Sequence, residues 1–198
     1  MSNEGVNTKR RRFLTLATGV VGAGGAAAAA VPFLASMAPS ERAKALGAPV
    51  SVNVENLKPG QMVTTSWRGK PVWVVSRTPE MLDTLDKVAD ELRDPNSEQP
   101  QQPAYAQNET RAIKPEKLVI IGVCTHLGCA PKYRPEKAPA DLGSDWLGGF
   151  FCPCHGSKFD LAGRVYQGVP APLNLPVPPH RYVSENEILV GEDSKESA

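Results

Sequence analysis

Two short boxes of cysteine and histidine in the second half of the chain constrain its fold more than any other feature. The first box reads Cys124-Thr-His126-Leu-Gly-Cys129, and the second reads Cys152-Pro-Cys154-His155-Gly-Ser157. Together they contain all 4 cysteines and two of the 3 histidines of the 198-residue chain. A fold that uses these side chains jointly has to bring two distant loops together. The pattern therefore indicates a metal centre shared between two loops.

The spacing within each box suits ligands of a redox metal. Thiolates are soft ligands, and imidazole suits zinc, copper and iron. Cys124 and His126 are two residues apart and Cys152 and His155 are three apart, so each pair can reach one metal site from a tight loop. Two thiolates on one iron and two imidazoles on the other make a 2Fe–2S cluster of raised potential. The boxes thus indicate electron transfer through an iron–sulfur cluster.

Other uses of these residues explain the pattern less well. Zinc could take two cysteines and two histidines, but a zinc finger pairs like residues and places a helix after them. Two simple structural disulfides would leave both box histidines without a role. Cys129 and Cys154 lie outside the ligand set and could form a disulfide in an oxidising compartment. His180 lies outside both boxes, and we expect it to be a surface or structural residue.

The N-terminus carries a second strong pattern, of export and anchoring. The basic run Lys9–Arg12 followed by Phe13-Leu14 matches a twin-arginine signal. The uncharged run from Phe13 to Met37 would be about 37 Å long as a helix, whereas a bilayer core is about 30 Å thick. Ser36-Met-Ala38 could be a cleavage site, but the length of the run favours an uncleaved anchor. The basic run is expected to stay in the cytoplasm, which puts everything after Ser40 in the periplasm.

Composition divides the chain into five segments. A net charge of +1, without a basic patch interleaved with aromatic residues, gives no reason to expect a nucleic-acid partner. The linker after the anchor is small, polar and punctuated by glycine and proline, which suits a passive tether or a hinge. The predicted segments are a cytoplasmic tail with the twin-arginine motif at 1–12, a transmembrane anchor at 13–37, a hinge linker at 38–50, a soluble domain at 51–191 whose cluster-binding part is about 118–180, and a C-terminal tail at 192–198.

The soluble domain is predicted to be mainly β and antiparallel. With 19 prolines and 17 glycines the chain favours short strands and frequent turns. Pro79–Leu92 is predicted as the one short helix because its apolar residues fall on one face, and Ala130–Gly149 as a long loop. The predicted strands are Ser51–Val54, the hairpin Met62–Val75 with its turn at Arg68-Gly69-Lys70, Leu118–Val123, Phe150–Phe151, Val165–Tyr166 and Ile188–Val190.

The boxes resemble the signature of the Rieske iron–sulfur proteins. The N-terminal anchor, the small-residue linker, Trp67–Arg77 and the proline loop Gly168–Pro172 further resemble the Rieske subunits of cytochrome bc complexes. The resemblance extends from about Arg10 to Val190. It implies one Rieske 2Fe–2S cluster per chain, with Cys124, His126, Cys152 and His155 as ligands, Ser157 as a hydrogen-bond donor to the cluster, and a disulfide between Cys129 and Cys154.

The resemblance also implies an activity, that of the electron-transfer subunit of a quinol–cytochrome c oxidoreductase. His155 would accept a hydrogen bond and then a proton from quinol at the cytochrome b site, as the cluster takes one electron. The domain would then move to deliver this electron to cytochrome c1. The expected partners are cytochrome b, cytochrome c1, quinol and the bacterial inner membrane, within a dimeric complex.

One residue departs from the family pattern. Phe159 stands where many members have a tyrosine that donates to a ligand sulfur, so we expect a lower potential than in those members.

Two other classes of Rieske protein stay open as alternatives. The main alternative is the small subunit of a periplasmic oxidase such as arsenite oxidase, although its connection between the boxes is shorter than residues 130–151. Oxygenase domains and their ferredoxins are cytosolic and usually lack the extra cysteine pair, so Cys129 and Cys154 argue against them.

Overall fold

The structure is a computed structural model, and it describes Gly5 and residues 7–193. The chain forms two units, one ending at Ala45 and one beginning at Leu46. Expectations for residues 1–4, 6 and 194–198, at the ends of the two predicted tails, lie outside the described residues.

The first unit is built on one long helix. Helix α1 (Thr8–Ser36) begins at the basic run rather than after it, and the side chain of Asn7 caps it by accepting from the backbone N–H of Arg10 at 3.1 Å. The helical stretch Thr8–Gly47 is the one candidate membrane span among the described residues, by its length and composition. A second helix, α2 (Glu41–Gly47), occupies most of the predicted linker. The linker therefore contains an ordered turn, which the sequence analysis did not predict.

The second unit confirms the predicted antiparallel β class. Its described residues form three antiparallel sheets of three strands each, and residues that alternate along a strand face opposite sides. The first sheet has the order β1 (Val50–Asn53), β9 (Glu187–Val190), β8 (His180–Ser184); the second β2 (Met62–Trp67), β3 (Lys70–Ser76), β4 (Lys117–Ile121); and the third β5 (Lys132–Arg134), β6 (Gly149–Cys152), β7 (Ser157–Phe159).

The second sheet lies between two hydrophobic clusters, which explains why its inner strands read as continuous apolar runs. On β3, Val72 and Val74 pack into a cluster with the first sheet, whereas Trp73 and Val75 pack into a cluster with the third. On β4, Val119 faces the first cluster while its neighbours face the second. Strands buried on both faces lose the usual alternation of polar and apolar residues.

The strand predictions are confirmed for the strong patterns and wrong for the weak ones. The hairpin β2–β3, the strand before the first box, the strand at Phe150 and the last strand are all present. Val165–Tyr166 forms only isolated bridges, and β5 lies inside the predicted long loop. Strands β7 and β8 were not predicted, because each is short and takes its conformation from pairing with a neighbour.

The predicted helix Pro79–Leu92 is wrong. Only Pro79–Leu82 (α3) is α-helical, and a 3₁₀ turn follows at Ala89–Glu91. The carbonyl of Leu85, which a continuous helix would offer to the N–H of Ala89, instead accepts the buried guanidinium of Arg164 at 2.8 Å. The apolar residues of this segment also divide between two clusters, with Leu85 in one and Val88 and Leu92 in the other. Tertiary contacts thus override a correct apolar periodicity.

Candidate metal centre

The two boxes follow strands of different sheets and contact each other in the second unit. The first box follows β4, and the second box forms the turn between β6 and β7, where Cys152 pairs with Ser157. Cys124 and Cys152 both belong to the hydrophobic cluster that joins the second and third sheets. The shared core therefore brings together the residues that the sequence analysis selected.

The two boxes have the same local turn. The carbonyl of Cys124 accepts from the N–H of Gly128 at 3.0 Å, and the carbonyl of Cys152 accepts from the N–H of Gly156 at 3.0 Å. Both glycines have positive φ, +82° and +77°, which other residues adopt at a cost. This matched geometry is the structural reason for a glycine near the end of each box.

The predicted ligands form two contacting pairs, one of thiols and one of imidazoles. Cys124 and Cys152 are free and buried, with 3% and 2% exposure, and their thiols are within hydrogen-bond reach of each other. The rings of His126 and His155 meet edge to face, with centroids 4.7 Å apart. His155 is exposed and His126 is half-buried, so the imidazole pair lies on the solvent side of the thiol pair.

The groups around Cys124 shift the pKa of its thiol in opposite directions. Burial raises the pKa of the Cys124 thiol, and the neighbouring thiol of Cys152 raises it further. The backbone N–H of His126 and the hydroxyl of Ser157 donate to the sulfur and act in the opposite direction. These two donors are already placed to stabilise negative charge on sulfur, which is the form that binds a metal.

Hydrogen bonds tie both boxes to the proline-containing segment 171–175. The Ser157 hydroxyl oxygen accepts from the buried N–H of Ala171 at 3.1 Å. The hydroxyl of Thr125 donates to the carbonyl of Leu173 at 2.6 Å. The role of Thr125 was missed because a threonine within a box has no ligand chemistry, and only the carbonyl facing it reveals its use.

The structure confirms the disulfide between Cys129 and Cys154. The sulfurs of both lie within 4.8 Å of the sulfur of Cys152, so the bond runs beside the thiol pair. These three sulfurs do not form a ligand set, because the disulfide removes the thiolates of two of them. The bond links the two box loops directly.

The donor set at this site fits a 2Fe–2S cluster. Two free buried thiols and two imidazoles match a cluster with two thiolates on one iron and two histidines on the other. Phe159 is fully buried on β7 in the same hydrophobic cluster as Cys124. His180 lies outside the site on β8 and is buried, with its Nδ1 at 2.8 Å from the carbonyl of Pro178, so its role is structural.

Comparison with protein families shows that the chain belongs to a class of protein that binds a 2Fe–2S cluster. Residues 48–179 match the family described as Rieske 2Fe-2S domain, so the chain is a Rieske protein and its cofactor is the 2Fe–2S cluster. Residues 1–40 match the family described as Ubiquitinol-cytochrome C reductase Fe-S subunit TAT signal, which confirms the twin-arginine pattern.

The relatives narrow the class to one subunit. The chain is 62% identical to the ubiquinol–cytochrome c reductase iron–sulfur subunit of Allochromatium vinosum, over 98% of this chain and 93% of that protein. It is 42% identical to the subunit of the same name from Bradyrhizobium diazoefficiens, over 92% of this chain and 94% of that protein. Among solved structures, a chain of a hyperthermophilic respiratory complex III is 27% identical, with a TM-score of 0.48, over 89% of this chain and 99% of that one.

The chain therefore belongs to the family of ubiquinol–cytochrome c reductase iron–sulfur subunits. The relatives favour this family over the periplasmic oxidase subunit that the sequence analysis left open. Together with the long apolar helix, family membership makes the chain a membrane-anchored redox subunit.

Proposed function

We propose that the chain takes electrons one at a time from quinol at a cytochrome b site and delivers them to cytochrome c1. The observation that carries this proposal is a site in which two free buried thiols lie beneath two contacting imidazoles on the solvent side. The site belongs to a chain of the ubiquinol–cytochrome c reductase iron–sulfur subunit family. Cytochrome b, cytochrome c1 and quinol are the partners, and the complex is a dimer.

The ligands that we propose are Cys124 and Cys152 for one iron, and His126 and His155 for the other. When bound, such a cluster accepts one electron at a potential of ~−150 to +300 mV, within reach of a quinol donor. Ser157 orders the sulfur side of the site through its hydrogen bonds to Cys124 and to the N–H of Ala171. The cysteines are enclosed in the core, whereas the histidines face outward.

His155 is the proposed contact with quinol and the proposed acceptor of its proton. Its ring is exposed, and so is the apolar side chain of Leu127 in the other box, with 72% exposure, so an apolar ring can approach the imidazole edge without displacing the core. With the cluster bound, the free ring nitrogen of His155 would accept a hydrogen bond from the quinol hydroxyl and then its proton. Proton uptake at His155 would then accompany electron uptake, so over the pH range where the two are coupled the midpoint potential should fall by about 59 mV for each unit rise in pH. A potential that stays flat up to high pH contradicts this role.

We place the soluble unit in the periplasm of a bacterial cell, held to the inner membrane by α1. The twin-arginine family match, the cluster of basic residues at the start of α1 and the apolar length of the helix support this orientation. The linker at 38–50 acts as the hinge for movement between the two cytochromes. Replacing Leu46 and Gly47 by proline at the end of α2 should slow turnover and leave the cluster spectrum unchanged, and unchanged turnover contradicts the hinge.

The decisive experiment is electron paramagnetic resonance of the reduced membrane fraction, with and without an inhibitor of the quinol site. We expect a Rieske signal whose g values shift when the inhibitor binds, because the histidine edge contacts the quinol site. A Rieske signal that the inhibitor leaves unchanged contradicts the proposed partner site. Co-purification with cytochromes b and c1 tests the assembly independently.

A further inference from the structure

Three arginines with almost no exposed surface bind the part of the chain that follows the second box. Arg77 has 2% exposure, Arg164 has 3% and Arg111 has 0%. All three bind the turn 160–163, which follows β7 and the second box. Arg164 has a carboxylate partner, Asp160, at 2.8 Å. Arg111 makes no salt bridge with any described carboxylate, and its side chain donates to three backbone carbonyl oxygens and one side-chain amide oxygen.

The guanidinium of Arg111 joins two segments of backbone that do not follow one another in sequence. Its Nη1 lies 3.1 Å from the carbonyl oxygen of Ala162, 3.3 Å from that of Gly163 and 2.8 Å from that of Leu175. The N–H of Leu175 also donates to the carbonyl of Gly163 at 2.8 Å. Nη2 donates to the side-chain oxygen of Gln102 at 3.0 Å. One charged group therefore fixes the turn 160–163 against the segment 171–175.

Both boxes are hydrogen-bonded to segment 171–175. The Ala171 N–H binds the Ser157 hydroxyl of the second box, and the Leu173 carbonyl binds the Thr125 hydroxyl of the first. The turn 160–163 holds the other end of the second box, because it directly follows β7. A rigid link between the turn and the segment therefore acts on both pairs of predicted ligands.

An arginine at position 111 does more than fill a buried volume. Burial lowers the pKa of Arg111 to about 10, so the side chain keeps its charge at neutral pH. Burying a cation is costly, and apolar residues of similar volume are often neutral or stabilising replacements for buried charges. A leucine or methionine would fill the volume but could not bind three carbonyls at once. The fork of donors is the property that only arginine supplies.

We propose that Arg111 is a positioning residue for the iron–sulfur cluster, acting through segment 171–175 on Ser157 and Thr125. The proposal rests on the proposed ligand set but not on quinol oxidation. It is tested on the cluster itself, so a failure of the proposed electron partners leaves the test intact.

The experiment measures how fast the cluster is lost to a chelator in the purified full-length protein, by bleaching of its visible absorbance, together with the linewidth of its paramagnetic resonance signal. Arg111→Lys keeps the charge and loses the fork, whereas Arg111→Met loses both. Arg77→Lys is the matched control, because Arg77 is equally buried and binds the carbonyls of Leu161 and Pro115 but does not reach segment 171–175.

We expect Arg111→Lys and Arg111→Met to lose the cluster about tenfold faster than the wild type and to broaden the paramagnetic resonance signal. A tenfold effect is the lower end of what residues that support metal ligands contribute to metal affinity. Arg77→Lys should lower stability to urea without this change. Thr125→Val should act in the same direction as Arg111→Lys, and the double variant should be no worse than the poorer single one, because both act through one segment.

Cluster loss at the wild-type rate in folded Arg111→Lys overturns the proposal, and so do effects of Arg111→Lys and Thr125→Val that multiply. If the arginine variants do not fold, Gln102→Ala carries the test, since it removes the acceptor of Nη2 from a half-buried position, together with the two bonds that the Gln102 amide donates to the carbonyls of Ser97 and Gln99. It should then accelerate cluster loss in a folded protein, and an unchanged rate overturns the proposal.

Discussion

Removing the Ser157 hydroxyl tests how the protein sets the potential of its metal centre. This hydroxyl is buried, donates to the sulfur of Cys124 and accepts from the N–H of Ala171 at 3.1 Å. Reduction adds negative charge to the cluster, so a hydrogen bond to a ligand sulfur stabilises the reduced state more than the oxidised one. Ser157→Ala should therefore lower the midpoint potential.

The size of the change follows from the strength of the bond in the two states. A hydrogen bond contributes about 1 to 1.5 kcal/mol more when its acceptor is charged than when it is neutral. Since a tenfold change in equilibrium is about 1.36 kcal/mol, or about 59 mV for one electron, the potential should fall by about 45 to 65 mV. The substitution also leaves the buried N–H of Ala171 without an acceptor, which should cost about 1–3 kcal/mol of stability.

The assay is a redox titration of the full complex at fixed pH, followed by paramagnetic resonance, with urea denaturation in parallel. Ser76→Ala is the control, because it removes another buried hydroxyl, one that accepts from Lys117 at 2.7 Å. We expect the control to lose stability and keep its potential. An unchanged potential in Ser157→Ala, or an equal fall in Ser76→Ala, refutes the assignment of this effect to a bond with the cluster.

Three further predictions concern buried side chains. Phe159→Tyr should raise the potential in the same titration, because it adds a donor inside the cluster of core residues that contains Cys124, and an unchanged value argues against this account. Burial lowers the pKa of His180, so the unfolded chain binds more protons below pH ~6.5 and stability should fall as the pH drops through that value. His180→Gln should flatten this loss between pH 7 and 5 in urea denaturation, and an equally steep loss would assign it elsewhere. Arg164→Met should cost about 3–5 kcal/mol, since it leaves the carboxylate of Asp160 buried without its partner, and a loss below about 1 kcal/mol contradicts this.

The metal centre was predictable from sequence because its chemistry demands particular residue types at particular spacings. Few side chains other than cysteine and histidine could take these ligand positions, so the boxes indicated the site without knowledge of the fold. The residues that hold the boxes carry no such signal. Thr125 and Arg111 act through backbone groups that lie far away in sequence, Thr125 on the carbonyl of Leu173 and Arg111 on the carbonyl of Leu175. In a sequence these residues resemble ordinary surface positions.

The fold shows the same division between local and long-range information. Strands β3 and β4 were predictable because burial on both faces imposes an apolar run. The helix at Pro79–Leu92 failed because Arg164 takes the Leu85 carbonyl, a contact between residues 79 positions apart. Strand β5, whose sequence is Lys-Tyr-Arg, has no apolar pattern and extends only because it pairs with β6.

The link between the boxes has a covalent part and a polar part, which act on different states of the chain. The Cys129–Cys154 bond closes a loop with a sequence separation of 25. On the loop-entropy account, this lowers the entropy of the unfolded chain and stabilises the folded state by about 3.5 kcal/mol. The bonds from Thr125 and Ser157 to segment 171–175 exist only in the folded state, where they fix the direction of groups beside the ligands. A disulfide between loops at the surface still allows the loops to move together. In our proposal, segment 171–175 and the Arg111 side chain that binds it therefore add to the position that β4, β6, β7 and the shared core give the boxes.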